Sequence, residues 1–370
     1  MNFNNAFLFC SLIITVLCSC EKNNITNNTN SGGNGADISA DVTLIAGSPT
    51  EFASRDNSNP LNARFYGPTK LHWHDKTKAL YIFDASGTTY LRKLDQNGVS
   101  TVAPYTFGLH SEAFDIAEAH DAASSLLVTT SLGRLMKLDP AAPVSATNPS
   151  TIIDWKNNHD VPKAENAIGS LSVASIDGGY GLAVADANTL YFSSSYLKTI
   201  RKVHFPNAGN EVTAFVGKPT SSVAAPAWPF ANGTGLDATF GEINDMASDM
   251  HGNIYVADPG YVVVRKITPS GQVSSYLTPT SNTQSFYREQ DGTLATAKAN
   301  NVNHVAVSQD GKRVFFATPG SLRLALPDEN RVITIAKFKE SIGGICTTRD
   351  GKTVYLSSGY GIYKVENIRF

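Results

Sequence analysis

Asp115, Asp245 and His304 stand at equivalent places, each just ahead of a short apolar run that opens at Ile116, Met246 and Val305. Lys70 precedes Leu71 in the same way, and Gly181 and Gly344 precede Leu182 and Ile345. One position earlier come Phe114, Tyr180, Asn244 and Asn303. If the six runs converge, Asp115, Asn244, Asp245 and Asn303 supply oxygen donors to one rim, and Ca²⁺ takes six to eight such ligands. The same residue types also serve turns, where Asn and Asp bond their own backbone. The rim residues Lys70, Phe114, Asp115, Tyr180, Asn244, Asp245, Asn303 and His304 are therefore candidates for ligand binding, with a metal as the alternative use.

Other groups point less directly to chemistry. His72 and His74 alternate on one run beside Asp75, and His120 holds a nearby place in the next run. A tetrahedral metal needs four ligands, so this pair requires partners from elsewhere in the chain. Cys346 replaces a small residue within an apolar run, which suits a buried side chain better than a nucleophile. No His-Glu-x-x-His, Gly-x-Ser-x-Gly or glycine-rich phosphate loop occurs, so no catalytic residue is assigned. In the Pro-rich stretch Pro219–Phe230, Trp228 and Phe230 flank Pro229. Such a pair suits stacking on a sugar or a partner protein, or packing over its own scaffold.

The elements that must position these residues form a repeat. A β-branched and aromatic run recurs six times: Leu80–Phe83, Leu126–Val128, Leu190–Phe192, Ile254–Val256, Val314–Phe316 and Val354–Leu356. Each is followed by a second run rich in Arg and Lys, as in Leu91-Arg92-Lys93-Leu94 and Val264-Arg265-Lys266-Ile267. Third runs such as Val99–Val102 and Val273–Tyr276 follow only five of these, and the sixth copy stands at the other end as Val42–Gly47. A four-stranded sheet has two apolar faces that only neighbouring copies can cover. Stacking in a ring leaves no end face, and a displaced amino-terminal strand that completes the last sheet locks such a ring. The expectation is an all-β chain, a six-bladed β-propeller over residues 42–370 closed by Val42–Gly47.

The stretch from Val212-Thr213-Ala214-Phe215-Val216-Gly217 through Asn232–Phe240 and Asp249-Met250-His251-Gly252-Asn253-Ile254-Tyr255-Val256-Ala257-Asp258 to Val264–Ile267 resembles an NHL repeat. Worn copies lie at residues 63–93 and 291–316, and the other blades match through their strand runs alone. The resemblance implies the propeller fold but no particular chemistry. Its members include bacterial envelope lipoproteins, protein- or RNA-binding modules, and a few lyases and hydrolases. Related six-bladed lactonases hold an axial metal through Glu, Asn and Asp, which is the basis of the metal alternative.

The chain of 370 residues has 30 Lys+Arg against 32 Asp+Glu, a net charge of -2 that offers nucleic acid no electrostatic footprint. Residues 6–20 are apolar and uncharged, shorter than the roughly 20 residues of a spanning helix. Their end, Leu17-Cys18-Ser19-Cys20, resembles a bacterial lipobox, which implies cleavage before Cys20 and acylation of its thiol. The expected organisation is a signal peptide at 1–20, a flexible Asn-, Thr- and Gly-rich tether at 21–41, and the propeller. From this follows a monomeric outer-membrane lipoprotein, periplasmic or surface-exposed, that touches the membrane only through its lipid. Its expected role is to bind a glycan or an envelope protein without turnover. The alternative is a Ca²⁺- or Zn²⁺-dependent hydrolase or lyase using the axial rim.

Overall fold

The computed structural model describes residues 38–85, 89–102, 113–130, 134–141, 150–154, 169–170, 181–194, 197–204, 211–220, 229–279 and 289–369. The signal peptide, Cys20 and most of the tether lie outside them, as do Tyr180, Trp228 and the side chain of Phe114. Among the described residues the strands form six antiparallel sheets, and no helix is long and apolar enough to cross a membrane.

Each sheet is a blade of consecutive hairpins. The inner strands are Pro68–His74, Ala113–Glu118, Leu182–Asp186, Asp245–Ser248, His304–Val307 and Ile342–Thr347. They lie side by side in chain order, and the first also packs against the sixth, so the ring is closed. Closure comes from Ser39–Gly47, which pairs antiparallel with Gly361–Arg369 in the last blade, Val42 opposite Val365 and Leu44 opposite Tyr363. This strand begins three residues before its apolar pattern does. Two outer strands that the pattern missed, Gly169–Ser170 and Gly233–Thr234, add a fifth strand to blades three and four. Both are two residues long, too short to show any alternation.

Packing explains why the blades cannot stand alone. The buried apolar residues fall into six clusters, and each spans one junction between neighbouring blades. Phe65, Leu71 and Leu80 of blade one, for example, meet Cys346, Tyr355 and Ile362 of blade six. The second strand of each blade, Ala79–Ala85, Leu126–Thr130, Thr189–Ser194, Ile254–Asp258, Val314–Ala317 and Val354–Ser358, is thus buried on both faces almost throughout, as packing between two neighbours demands.

Arginine fixes three blades internally. Arg92, Arg265 and Arg323 are completely buried at matching places in the third strands of blades one, four and five. Arg265 donates to the carbonyls of Thr239 (2.7 Å) and Ala231 (2.8 Å), with Phe230 and Phe240 at 4.7 and 5.0 Å from its guanidinium. Arg92 pairs with Asp84 at 2.8 Å and Arg323 with Asp291 at 2.9 Å, over Phe65 and Phe316. The planar fork binds loop carbonyls that would otherwise be orphaned, while its faces rest on rings. This is where Phe230 goes. Its ring meets Tyr261 edge-on at 5.2 Å and walls the Arg265 socket, so it is directed into blade four.

Candidate functional site: an axial plug and a blind well

The six inner strands begin around the axis, and Lys70, Asp115, Asp245 and His304 do come together there. Lys70 Nζ lies 2.9 Å from Asp115 Oδ1 and in still closer contact with Asp245 Oδ1. His304 Nδ1 stands 3.5 Å from Asp245 Oδ2. Both carboxylates also accept backbone N–H groups, Asp115 from Ile116 and Leu182, Asp245 from Val305. Lys70, Asp115 and Asp245 are all buried. The two remaining axial positions are glycine because there is no room for more. A Cβ at Gly181 would lie 2.6 Å from Met246 Cγ, and one at Gly344 would run into the Thr69 carbonyl.

Asn244 and Asn303 sit one residue further out, half-buried, and their N–H groups extend the strand pairing to Ala257 and Ala317. The oxygen-rich rim therefore has an occupant of its own. The Lys70 ammonium stands between the two carboxylates that a divalent cation would need. Among the described residues no three of His, Cys, Asp and Glu are grouped to hold a metal.

Two carboxylates around one ammonium leave a surplus negative charge in a buried place, and the titration follows from that. Burial works against the Lys70 ammonium, yet Asp115 and Asp245 outweigh it and hold its pKa above the usual lysine value. Burial pushes Asp115 up to about 7, with Lys70 opposing and Asp245 adding to the rise. Burial opposes ionisation of Asp245 too, but Lys70 and His304 hold it below the ordinary range. Below about pH 7 the plug is thus one ammonium, one carboxylate and one carboxylic acid.

The consequence for stability has a definite sign. Asp115 binds its proton more tightly folded than unfolded, where its pKa is 3.8. Its contribution is therefore full at acid pH and is lost as pH rises from about 4 to 7, with a slope of at most about 1.4 kcal/mol per pH unit. Urea unfolding of Asp115→Asn, in which a neutral amide stands for the protonated carboxyl, is expected to lose this slope between about pH 4 and 7; a wild-type slope retained in the variant would assign it to another group.

Inward from the plug the channel is a cavity of about 660 Å³. Its walls are the inner strands, with Leu71, Ile116, Leu182, Val305 and Ile345 among the apolar residues and Lys70, Asp115 and Asp245 as the floor. It ends among exposed His120, Asp186, Met250, Gln309 and Arg349. It is a blind well. The sequence suggested a ligand mouth where the inner strands begin, but there the plug fills the axis, and the well opens at the opposite ends of the same strands.

Three blades contribute to one polar group near that opening. Arg349, in the turn after the inner strand of blade six, donates from Nη2 to Glu118 Oε1 of blade two at 2.8 Å. His72 of blade one lies between, its Nε2 3.8 Å from Glu118 Oε2. Burial alone would favour the acid form of Glu118, but His72, Arg349 and His74 overcome it and hold the carboxyl at about 2. His74 shares the face of His72 but is fully buried, bonding Thr77 Oγ1 at 2.7 Å and the Ser124 carbonyl at 2.8 Å, which ties blade one to blade two. Cys346 lines the well wall, buried, with burial raising its thiol above the usual value.

Sequence reasoning brought Lys70, Asp115, Asp245 and His304 to one place and missed Glu118, Arg349 and the role of His72. Glu118 and Arg349 are 231 residues apart, so no spacing could join them. The available signal was a charged residue at the far end of an inner strand, where the turn begins.

No protein-family model matches this chain, and no curated protein does. Solved structures do match in fold. A protein of unknown function from Bacteroides thetaiotaomicron aligns with a TM-score of 0.62 at 18% identity, over 89% of this chain and 76% of that one. An auxiliary nutrient binding protein from the same organism gives 0.58 at 15%, over 89% and 76%. A putative gluconolactonase gives 0.54 at 11%, over 89% and 93%. At such identities the likeness establishes architecture, and the chain is a six-bladed β-propeller of the shape these proteins share.

Proposed function

We propose that this chain is a lipid-anchored propeller of the bacterial cell envelope that binds a ligand of the nutrient or glycan class without turning it over. The observation that carries the reading is the blind well, whose volume falls within the roughly 300–1,000 Å³ of small-molecule sites. Its floor is a charge-balanced Lys–Asp cluster and its one thiol is held protonated by burial, so neither offers an activated nucleophile. The auxiliary nutrient binding protein among the structural neighbours fits this use of the fold. Acylation at Cys20, a tether to about residue 41 and outer-membrane sorting belong to the same reading, as does classing the blades as NHL repeats. The buried Arg–Phe–Asp groups of blades one, four and five recur where that repeat is clearest, which supports the classification.

Elemental analysis with equilibrium binding tests the proposal. The purified protein is expected to contain no stoichiometric Ca²⁺ or Zn²⁺, to gain no thermal stability from either, and to release bound solute unchanged. A stoichiometric metal with turnover of a lactone would replace this reading by the hydrolase alternative, which requires Lys70 to leave the axis.

A further inference from the structure

The geometry points to the open end of the well as a site for a neutral polyhydroxylated ligand, a sugar or polyol, with one ligand hydroxyl held between Glu118 Oε2 and His72 Nε2. This rests on the binding function proposed above. Arg349 fixes the carboxylate by its bond to Oε1, and Glu118 Oε2 and His72 Nε2 then face each other across 3.8 Å, too far for a hydrogen bond. His72 Nε2 is buried with no hydrogen-bond partner. Facing a carboxylate, that nitrogen carries the proton. The gap thus presents a donor and an acceptor together, and a hydroxyl satisfies both because it accepts and donates at once. An ammonium has nothing to accept the imidazole N–H, and a carboxylate would be repelled by Glu118.

The wall beside the gap suits the rest of such a ligand. A sugar offers several hydroxyls in alternation with C–H faces, and Ile116, Val184, Ala247 and Val307 supply apolar wall for the latter. The unpaired imidazole nitrogen and the half-used carboxylate are otherwise a standing cost to the folded protein.

The test titrates the full chain with glucose, galactose, mannose, xylose and glycerol, with glucosamine and glucuronate as charged comparators, by calorimetry and ligand-observed NMR. At least one neutral probe is expected to bind saturably, and Glu118→Gln and His72→Phe should each weaken it tenfold or more while the near-ultraviolet circular dichroism of the folded protein is retained. Ala247→Phe, which fills the well without touching the polar group, should abolish the binding and guards against a folding defect in the other two. Sugar binding unchanged in all three variants would overturn this site while leaving the binding function standing. Saturation by glucosamine or glucuronate alone, or by none of these probes, would overturn the ligand class.

Discussion

Lys70→Met is expected to destabilise the protein by about 3–5 kcal/mol at neutral pH, because it leaves two buried carboxylates without their cation. The side chain is nearly isosteric, so lost packing is a minor part of the effect. The loss will also depend on pH in a way that packing defects do not. In the variant both Asp115 and Asp245 are pushed above their unfolded value of 3.8, since burial then acts unopposed by the ammonium. The folded state binds up to two more protons than the unfolded chain above about pH 4, and stability falls as pH rises, by up to about 2.8 kcal/mol per pH unit. Below about pH 4 the two states bind protons alike and the slope disappears. Urea unfolding at pH 4.5, 6 and 7.5 measures it. An equal deficit at all three pH values would mean that Lys70 is not the countercharge.

A companion variant separates charge from architecture. Lys70→Met with Asp115→Asn and Asp245→Asn removes all three charges but keeps carbonyl oxygens that can accept from Ile116, Leu182 and Val305. Much of the loss at pH 7.5 should return, because the uncompensated charge is what made the single variant costly. Full hydrophobic replacement would do worse here than in a dry triad, for it would orphan those three N–H groups.

The same plug shows what a sequence can and cannot disclose. That Lys70, Asp115, Asp245 and His304 meet was legible, because each stands just ahead of the apolar run of an inner strand and the runs recur in fixed order. That they neutralise one another was not, since position says nothing of which group takes the axis. A lysine at the same place as two aspartates was the available clue. Arg92, Arg265 and Arg323 were visible only as basic residues of the second runs. Their burial follows from a tertiary fact, that loops such as 231–239 bring bare carbonyls to the blade edge. The direction in which the channel opens depends on the width of the ring at each end, set by side chains from all six blades. No local pattern encodes it.

Removing residues 1–47 should abolish cooperative folding, whereas removing residues 1–37 should leave stability at the level of the full chain. Ser39–Gly47 supplies the fourth strand of the last blade, with Ala40 and Ala46 buried and Val42, Leu44 and Ile45 packed against the clusters on its two sides. Backbone bonds at about 1 kcal/mol each, together with these side chains, amount to more than about 5 kcal/mol, comparable with the whole stability of an ordinary domain. The loss is not confined to one strand. Without it the two partly covered blades at the seam expose an edge and an apolar face, and the ring can open there. Thermal unfolding followed by near-ultraviolet circular dichroism distinguishes the two truncations. A synthetic peptide spanning Ser39–Gly47 should restore the cooperative transition by adding as a strand to Gly361–Arg369, since the register is fixed by Val42 against Val365 and Leu44 against Tyr363. A chain that unfolds cooperatively without residues 1–47 would show that the junction between blades five, six and one closes the ring by side-chain packing alone.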